Sequence, residues 1–444
     1  MSNVIVSRFG GDAAANSETI KKMIEIIKAN PDRRYVVVSA PGTTDNDIGI
    51  TDMLYMCYAS FQAKENYETI LGKISNRYKE IVNGLGMNFD VDFEINALRK
   101  NLHLGLDYIG SRGEYIFGKI IAKYLDWKFV DAFQVMALNP DGTPDKERTF
   151  SMASERLRSL DRAIIPSFYG STTGGTVKTF NRGDCDTSGA LVACAIKADL
   201  FEKWSESAKV YSADPSVIPD AELVNTITYS EAVELNYIGI TLTKDEVAFM
   251  LQEADIPMTI CSIYDDYVMN IVPKLPENIS RNVTACIAGH QNFKVIKIQK
   301  YGMNKAYEYD NKLFATFAKH RIAARHHVSG IHNMMIVLKN PRFDLIRNEI
   351  IEDIQEAINP NSITVSQDFS LIALVGEGMG TIKGLFGKIF ASLALAGVKA
   401  KMIEQGADNL NIIIGVDDND YESAIKALYK AMILNESIFE NGIL

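Results

Sequence analysis

Several short stretches combine residue types suited to holding a phosphate group. The first is Arg8-Phe9-Gly10-Gly11, which ends the apolar run Val4–Ser7. Glycines at a strand end let the backbone turn sharply and bring N–H groups against anionic oxygens, and a following helix N-terminus adds positive potential. Alone, a Gly-Gly pair reads equally well as a tight strand–helix turn. Here a cation precedes it, and a second polar turn, Ser39-Ala40-Pro41-Gly42, ends the run Tyr35–Val38. A third stretch, Asn181-Arg182-Gly183-Asp184-Cys185-Asp186-Thr187-Ser188, precedes a helix carrying Leu191, Val192, Ala195 and Ile196. Amides at that helix start favour an anion, and Arg182 has the fork geometry for a carboxylate; the alternative is that Asp186, Thr187 or Ser188 merely caps the helix. In Ser111-Arg112-Gly113-Glu114, opening another helical stretch, Glu114 either binds an amine or complements the helix dipole.

Other chemistries are poorly provided for. Of six histidines only His103 precedes residue 290, so the first two thirds hold no Ser–His–Asp triad and no His-rich metal centre. His326-His327 lie on an expected strand, where adjacent rings face opposite sides and do not chelate together. Cys57, Cys185, Cys194, Cys261 and Cys286 are odd in number and form no CxxC pair, against a disulfide framework or a structural zinc site. Acidic neighbours at 184 and 186 discourage a Cys185 thiolate. The net charge of −10 argues against a general nucleic-acid or membrane-surface binder. With no secretory-type N-terminus and no run of about 18 apolar residues, a cytoplasmic location is expected.

The elements that must position these residues follow from periodicity. Val4–Ser7, Tyr35–Val38, Phe129–Phe133, Ala163–Pro166 and Leu200–Trp204 read as buried strands alternating with helical patterns. Ser17, with Thr19 and Ile20, is the expected start of the first helix, and residues 52–125 read as largely helical. The pattern implies an α/β sandwich on a mostly parallel sheet. From Phe293 onward two smaller strand–helix–strand–strand–helix–strand units are expected. The first runs through Phe293–Ile298, Leu313–His320, Ala323–His327, Met334–Leu338, Ile346–Ile358 and Ile363–Ser366. The second has strands Leu371–Val375, Val398–Ile403 and Leu410–Val416, a helical stripe from Ile382 to Leu393, and a closing helix Tyr421–Met432.

Taken together and in order, these motifs resemble those of the aspartate kinases of the amino-acid kinase family. VSRFGGD resembles the family's K-F-G-G-[ST]; VVVSAPG, ITD, SRGEY, IIPSFYGSTTGG, NRGDCD, VYSADPSVIPDA and ELNYIG are similar to its further motifs. Leu371–Met379 and the stretch Gln405–Ile412 resemble motifs of its paired ACT domains. The resemblance implies a three-layer kinase sandwich over 1–290 followed by two ferredoxin-like ACT units at 291–368 and 369–444. The implied activity is transfer of the ATP γ-phosphoryl to the side-chain carboxylate of L-aspartate, giving 4-phospho-L-aspartate, with Mg²⁺. This is a first step toward lysine, threonine and methionine. Carried over by position, Arg8 and Asp186 are catalytic. Ser39, Thr44 (or Thr43), Glu114, Arg182 and Cys185 hold the aspartate, and Gly10, Gly11, Ser205, Glu206, Tyr211 and Asp214 face the nucleotide. No residue is assigned to a metal. A homo-oligomer with lysine or threonine acting at the ACT units is implied; nucleic acid and membrane are not.

The departures fall on active positions. Arg8 stands where the family has lysine, Asp12 where it has Ser or Thr, Asp184 where it has glycine, and Trp204-Ser205-Glu206 where it has W-T-D. A carboxylate about 4 Å from a phosphate oxygen costs on the order of 4 kcal/mol at an effective dielectric near 20 unless something offsets it. The alternatives are a catalytically impaired amino-acid-binding regulatory paralogue and a kinase of a different amino-acid carboxylate.

Overall fold

The computed structural model describes residues 3–44, 48–181, 185–205, 209–276, 284–303, 308–324 and 326–436. Arg182, Asp184 and Glu206, three residues singled out above, lie outside them. The chain forms two compact units, each assembled from separate segments. One comprises Met1–Val210, Val224–Val233 and Leu242–Glu277; the other comprises Tyr211–Leu223, Glu234–Thr241 and Asn278–Leu444.

The first unit is built on an eight-stranded sheet. Its strands run in the order Lys128–Phe129, Ala163–Pro166, Arg33–Val38, Ile5–Phe9, Leu200–Ser205, Met258–Ser262, Val268–Val272, Thr226–Thr228. Each neighbouring pair is parallel except Met258–Ser262 with Val268–Val272. The apolar stripe of the helix Ser17–Ala29 (Ile20, Met23, Ile24, Ile27) packs in one core with Val36, Val38 and the helices that fill residues 50–125. That helix starts at Ser17, as expected. Asn16, not Ser17, is its cap, because its side chain accepts from the amides of Glu18 at 2.9 Å and Thr19 at 3.0 Å. The expected strand Phe129–Phe133 shrinks to Lys128–Phe129, since Asp131 caps a short 3₁₀ turn over Ala132–Gln134.

Strand order decides where a ligand fits. From Ile5–Phe9 the chain moves outward through Arg33–Val38 to one side of the sheet, then returns to place Leu200–Ser205 on the other side of Ile5–Phe9. In open α/β sheets the crevice at such a reversal, beyond the carboxyl ends of the strands, is the ligand site. Phe9 is in register with Val38 and with Trp204 there, so the Gly10-Gly11 turn and the Ser39–Gly42 turn leave from one edge.

The second unit carries a six-stranded antiparallel sheet ordered His326–Ser329, Asn333–Leu338, Cys286–Gln299, Ser362–Val375, Asn411–Asp417, Met402–Gln405. The helices Glu308–Lys319 and Pro341–Ile358 cover its first half, and Leu385–Leu395 and Tyr421–Met432 its second. Several of the expected strands differ in extent, among them Ala323–His327, which is observed as His326–Ser329. Ile363–Ser366 and Leu371–Val375 are one strand of 14 residues, and Cys286–Gln299, also of 14, begins well before Phe293. Cys286–His290 pairs with Leu371–Val375, so it supplies the edge the second ferredoxin-like half lacks, and the two halves share one sheet. Val398–Ile403 is displaced to Met402–Gln405.

Candidate active site

The crevice centres on Asp186. It lies in the first turn of the helix Cys185–Ile196, whose N-terminal potential favours a carboxylate. Its side chain does not cap. Instead Oδ2 stands 2.8 Å from Lys203 Nζ and Oδ1 stands 3.0 Å from Arg8 Nε. The Arg8 contact is an ion pair without hydrogen-bond alignment, so Arg8 Nε and Asp186 Oδ1 are both buried without a hydrogen-bond partner. Burial alone would push the Asp186 carboxyl up; Arg8 and Lys203, with Lys244 further off, hold it below the usual range. Arg8 shifts upward against its own burial, because Asp186, Cys185 and Asp12 favour its charge.

Lys203 is the residue that sequence reasoning missed. It is the register partner of Arg8 on the neighbouring parallel strand, so both side chains leave the same face of the sheet side by side. Its ammonium also donates to the Leu242 carbonyl at 2.9 Å. The compact ammonium absent from position 8 thus enters the crevice one strand away. The available signal was the charged pair Glu202-Lys203 inside the strand Leu200–Ser205.

Beneath this pair lies a closed polar cluster. Glu202 accepts from Ser7 Oγ at 2.7 Å, from Arg33 Nε at 2.8 Å and from the Trp204 indole N–H at 2.9 Å. Trp204 stacks on Phe9 with centroids 5.8 Å apart, and its carbonyl accepts from Gly10 N–H. The sheet therefore fixes the entry to the glycine turn. A Cβ on Gly10 would sit 3.2 Å from Arg8 Nη1 and 3.6 Å from Asp12 Oδ2, so glycine leaves that space between cation and acid open. The two turns meet backbone to backbone. Gly42 N–H donates to the Gly11 carbonyl at 2.9 Å, and a Cβ on Gly42 would fall 2.7 Å from the Gly11 carbonyl carbon. Buried Arg77 ties the junction by donating to the carbonyls of Ala15 at 2.8 Å and Gly42 at 2.6 Å.

Glu114 faces the second turn. It sits in the interior of the long helix Leu106–Leu125, not at a helix start, so complementing the helix dipole does not explain it. Gly113 allows the approach, since a Cβ there would lie 2.9 Å from Ala40 Cβ. The carboxyl is bonded to the Ala40 backbone and the Thr51 side chain, yet Oε2 is buried with no hydrogen-bond partner. Burial pushes it up to about 8. An unsatisfied buried carboxyl oxygen is costly, and a cation from outside the chain would relieve it.

The remaining expected residues divide. Ser39 is buried, 3.4 Å from Ser167 Oγ, and Thr44 lies half-buried on the same connection. Burial, more than neighbouring acids, pushes the Cys185 thiol up, against Arg8, so it is no nucleophile. Phe168, one residue after Ser167, has a φ of 75°, and its amide is held by Ser188 Oγ at 3.1 Å. Such strain, of order 1–3 kcal/mol, persists only where surroundings impose it. Ser205 ends its strand in register with Ser262. Tyr211 and Asp214 belong to the second unit, where Asp214 accepts from the Ser216 amide and hydroxyl at 2.8 and 2.7 Å. Among the described residues no three His, Cys, Asp or Glu side chains are grouped to hold a metal ion, and no helix is long and apolar enough to cross a membrane.

Comparison with known proteins agrees with this geometry. Residues 3–262 match the amino acid kinase family and 372–432 match an ACT domain. The crystal structure of Clostridium acetobutylicum aspartate kinase superposes with a TM-score of 0.91 at 34% identity, covering 97% of this chain and all of that one (100%). The chain belongs to the amino acid kinase family, among the aspartate kinases. Aspartokinase 3 of Bacillus subtilis is 28% identical over 96% of this chain and 98% of its own length. The fold is shared more distantly with E. coli aspartokinase III in complex with lysine and aspartate, at a TM-score of 0.78 and 20% identity over 97% of this chain and 99% of that one. The chain is thus a kinase, with an ACT-type C-terminal part.

Proposed function

We propose that this kinase transfers the γ-phosphoryl of ATP to the side-chain carboxylate of L-aspartate, producing 4-phospho-L-aspartate for lysine, threonine and methionine synthesis in the cytoplasm. The observation that carries the reading is the buried, unsatisfied Glu114 Oε2 beside the second turn, a place suited to the α-ammonium of an amino acid. Ser39 and Thr44 line the same connection, and Arg182 takes the α-carboxylate. The more distant E. coli aspartokinase III has been crystallised with aspartate and ADP, which supports the same pair of ligands here.

Phosphoryl transfer asks little covalent work of the protein; it needs alignment and neutralised charge on the transferring oxygens. Arg8 and Lys203 supply two cations at the crevice, and the Gly11 amide adds a donor. Asp186 holds the two cations in place. Arg8 also offsets Asp12, which answers the electrostatic penalty that this acid would otherwise impose. Mg²⁺ supplies charge neutralisation on the phosphates when bound, and we assign it no protein ligand. The kinase chemistry is read over 1–290. The ACT units, 291–368 and 369–444, are read as assembly and effector modules of a homo-oligomer responding to lysine or threonine, each testable by thermal stabilisation.

An ADP-release assay with ATP, Mg²⁺ and a panel of amino acids tests the reading. Turnover is expected with aspartate above all others, with the aspartate KM raised in Glu114→Gln. No turnover above background would return the chain to a regulatory paralogue, and a better substrate elsewhere in the panel would reassign the acceptor.

A further inference from the structure

The ELNYIG motif at Glu234–Gly239 has no part in the site described above. It lies in the second unit and forms one wall of a cavity of about 320 Å³. Gly239 is needed where it is, since its φ of 100° and a Cβ only 2.0 Å from His290 Nε2 exclude any side chain. The opposite wall comes from the sheet, through Gly289, His290, Phe293, Val337–Asn340 and Leu371.

The lining has a one-sided chemistry. Tyr237, Ile238, Phe293, Leu338 and Leu371 give apolar and aromatic surface. The polar members are Asn236, Asn340, His290, His326 and Lys339, and none of the described lining residues is an aspartate or glutamate. This holds in a chain whose net charge is −10. Lys339 is exposed, its ammonium 5.6 Å from the centre of the Phe293 ring, with no carboxylate in ion-pair contact among the described residues. His326, by contrast, is buried. Its Nδ1 lies 2.9 Å from Glu404 Oε2, and its ring packs edge-on against Tyr237 at 5.1 Å. With Nδ1 committed, Nε2 is the nitrogen left for a ligand. Burial and the charge of Lys339 push His290 down, against Asp214. Dry cavities are apolar, whereas ligand cavities combine apolar walls with a few convergent polar groups.

We infer that this cavity is a binding site for a small organic acid: a carboxylate on an apolar body, carrying no amine. Lys339 supplies the charge for the carboxylate. The His326 ring, held at Nδ1 by Glu404, offers Nε2 to the ligand as a further polar contact. Tyr237, Phe293 and Leu371 take the hydrocarbon. With no acidic side chain in the lining, an α-ammonium group finds no ionic partner, which sets this ligand apart from the amino acids proposed for the catalytic crevice and for the ACT units.

Calorimetric titration of the full chain with 4-methylpentanoate and 3-phenylpropanoate, beside leucine and phenylalanine as their amine-bearing counterparts, tests the inference. Binding of at least one acid is expected, weakened about tenfold or more, equivalent to about 1.4 kcal/mol, in Lys339→Met and again in His326→Gln. Lys339 is exposed, so its replacement leaves the fold intact, and Glu114→Gln is expected to leave the acid's affinity unchanged. Absence of binding by both acids, equal affinity in Lys339→Met, or leucine binding as tightly as 4-methylpentanoate would each overturn it. Because the readout is binding and not turnover, the outcome is independent of whether aspartate is the phosphoryl acceptor.

Discussion

The two sheets of this molecule treat charge in opposite ways. In the first unit Arg77, Glu94, Arg112, Glu114, Asp186, Glu202 and Glu231 are all buried. In the second, no Lys, Arg, Asp or Glu among the described residues is buried, and its buried ionisable side chains besides tyrosine and cysteine are His320 and His326. Its central strands are instead apolar, with Leu371–Val375 and Ile412–Val416 buried residue after residue. Burying a charge costs several kcal/mol unless it is paired, and even pairing seldom makes it a net gain in stability. The first unit tolerates that cost where its strands open into a crevice. The second, whose cavity carries its charge on the exposed Lys339, takes its stability from apolar packing. Buried charge in the first unit serves the crevice at Glu114 and Asp186 and local structure elsewhere, as where Glu94 pairs with Lys119 and Glu231 accepts from the Thr228 amide.

That contrast can be broken most forcefully at Asp186. Asp186→Asn leaves Arg8 and Lys203 facing each other without a counter-charge. Losing one partner of a buried ionic group costs about 3–5 kcal/mol, so the melting temperature should fall and turnover should drop about a thousandfold or more. Retention of activity within tenfold would mean that the cluster is structural only.

Glu114→Gln should cut turnover with aspartate about a hundredfold, near the 1.5–3 kcal/mol of a hydrogen bond to a charged group. It also carries a pH signature. Glu114 titrates at about 8 in the folded chain against 4.5 as its ordinary value. The folded state thus holds a proton that the unfolded chain has lost, and stability should fall as pH rises between those values, then level off. In Glu114→Gln that slope should be missing. At pH 7, aspartate binding to the wild type should release a proton, visible as a buffer-dependent heat, and should release none in the variant.

Lys203→Met tests whether the second cation serves the phosphate. A loss of about ten- to a hundredfold in kcat is expected, with a fall in melting temperature smaller than in Asp186→Asn because Asp186 keeps Arg8 as a counter-charge. Adding Arg8→Lys should recover part of it by restoring an ammonium in the crevice. In the second sheet, Leu374→Ala should cost about 2–5 kcal/mol in denaturant unfolding while leaving kcat at 25 °C nearly unchanged. Smallest of all, Lys426→Ala, which removes an exposed pair with Glu422, should shift stability by about 0.3–0.5 kcal/mol.

Much of the site was legible because turn chemistry is local. Glycine pairs at strand ends and a polar segment before a helix announce themselves within a few residues, and the Arg8–Gly11 and Ser39–Gly42 turns were read that way, whereas Asp186 stood between cap and site until the resemblance gave it a role. Lys203 was hidden, because its meaning depends on parallel register with Arg8 across 195 residues of chain. The same reason hid Arg77, whose guanidinium ties two loops from a helix that reads as ordinary amphipathic sequence. Tyr211 and Asp214 show the converse. Their motif is plain in the sequence, yet they belong to the second unit, which no local pattern could foretell.

By itself the sequence determined the class of fold, the alternation of strands and helices, and the turns that crowd small and charged residues at strand ends. These are short-range properties, set by side-chain periodicity and backbone sterics within a few residues. Only the tertiary structure decided which cations share Asp186, that Glu114 sits mid-helix with an unsatisfied oxygen, and that Cys286–His290 completes the far half of the C-terminal sheet. Those outcomes depend on register between distant strands and on burial, and both come into being only when the whole chain has packed.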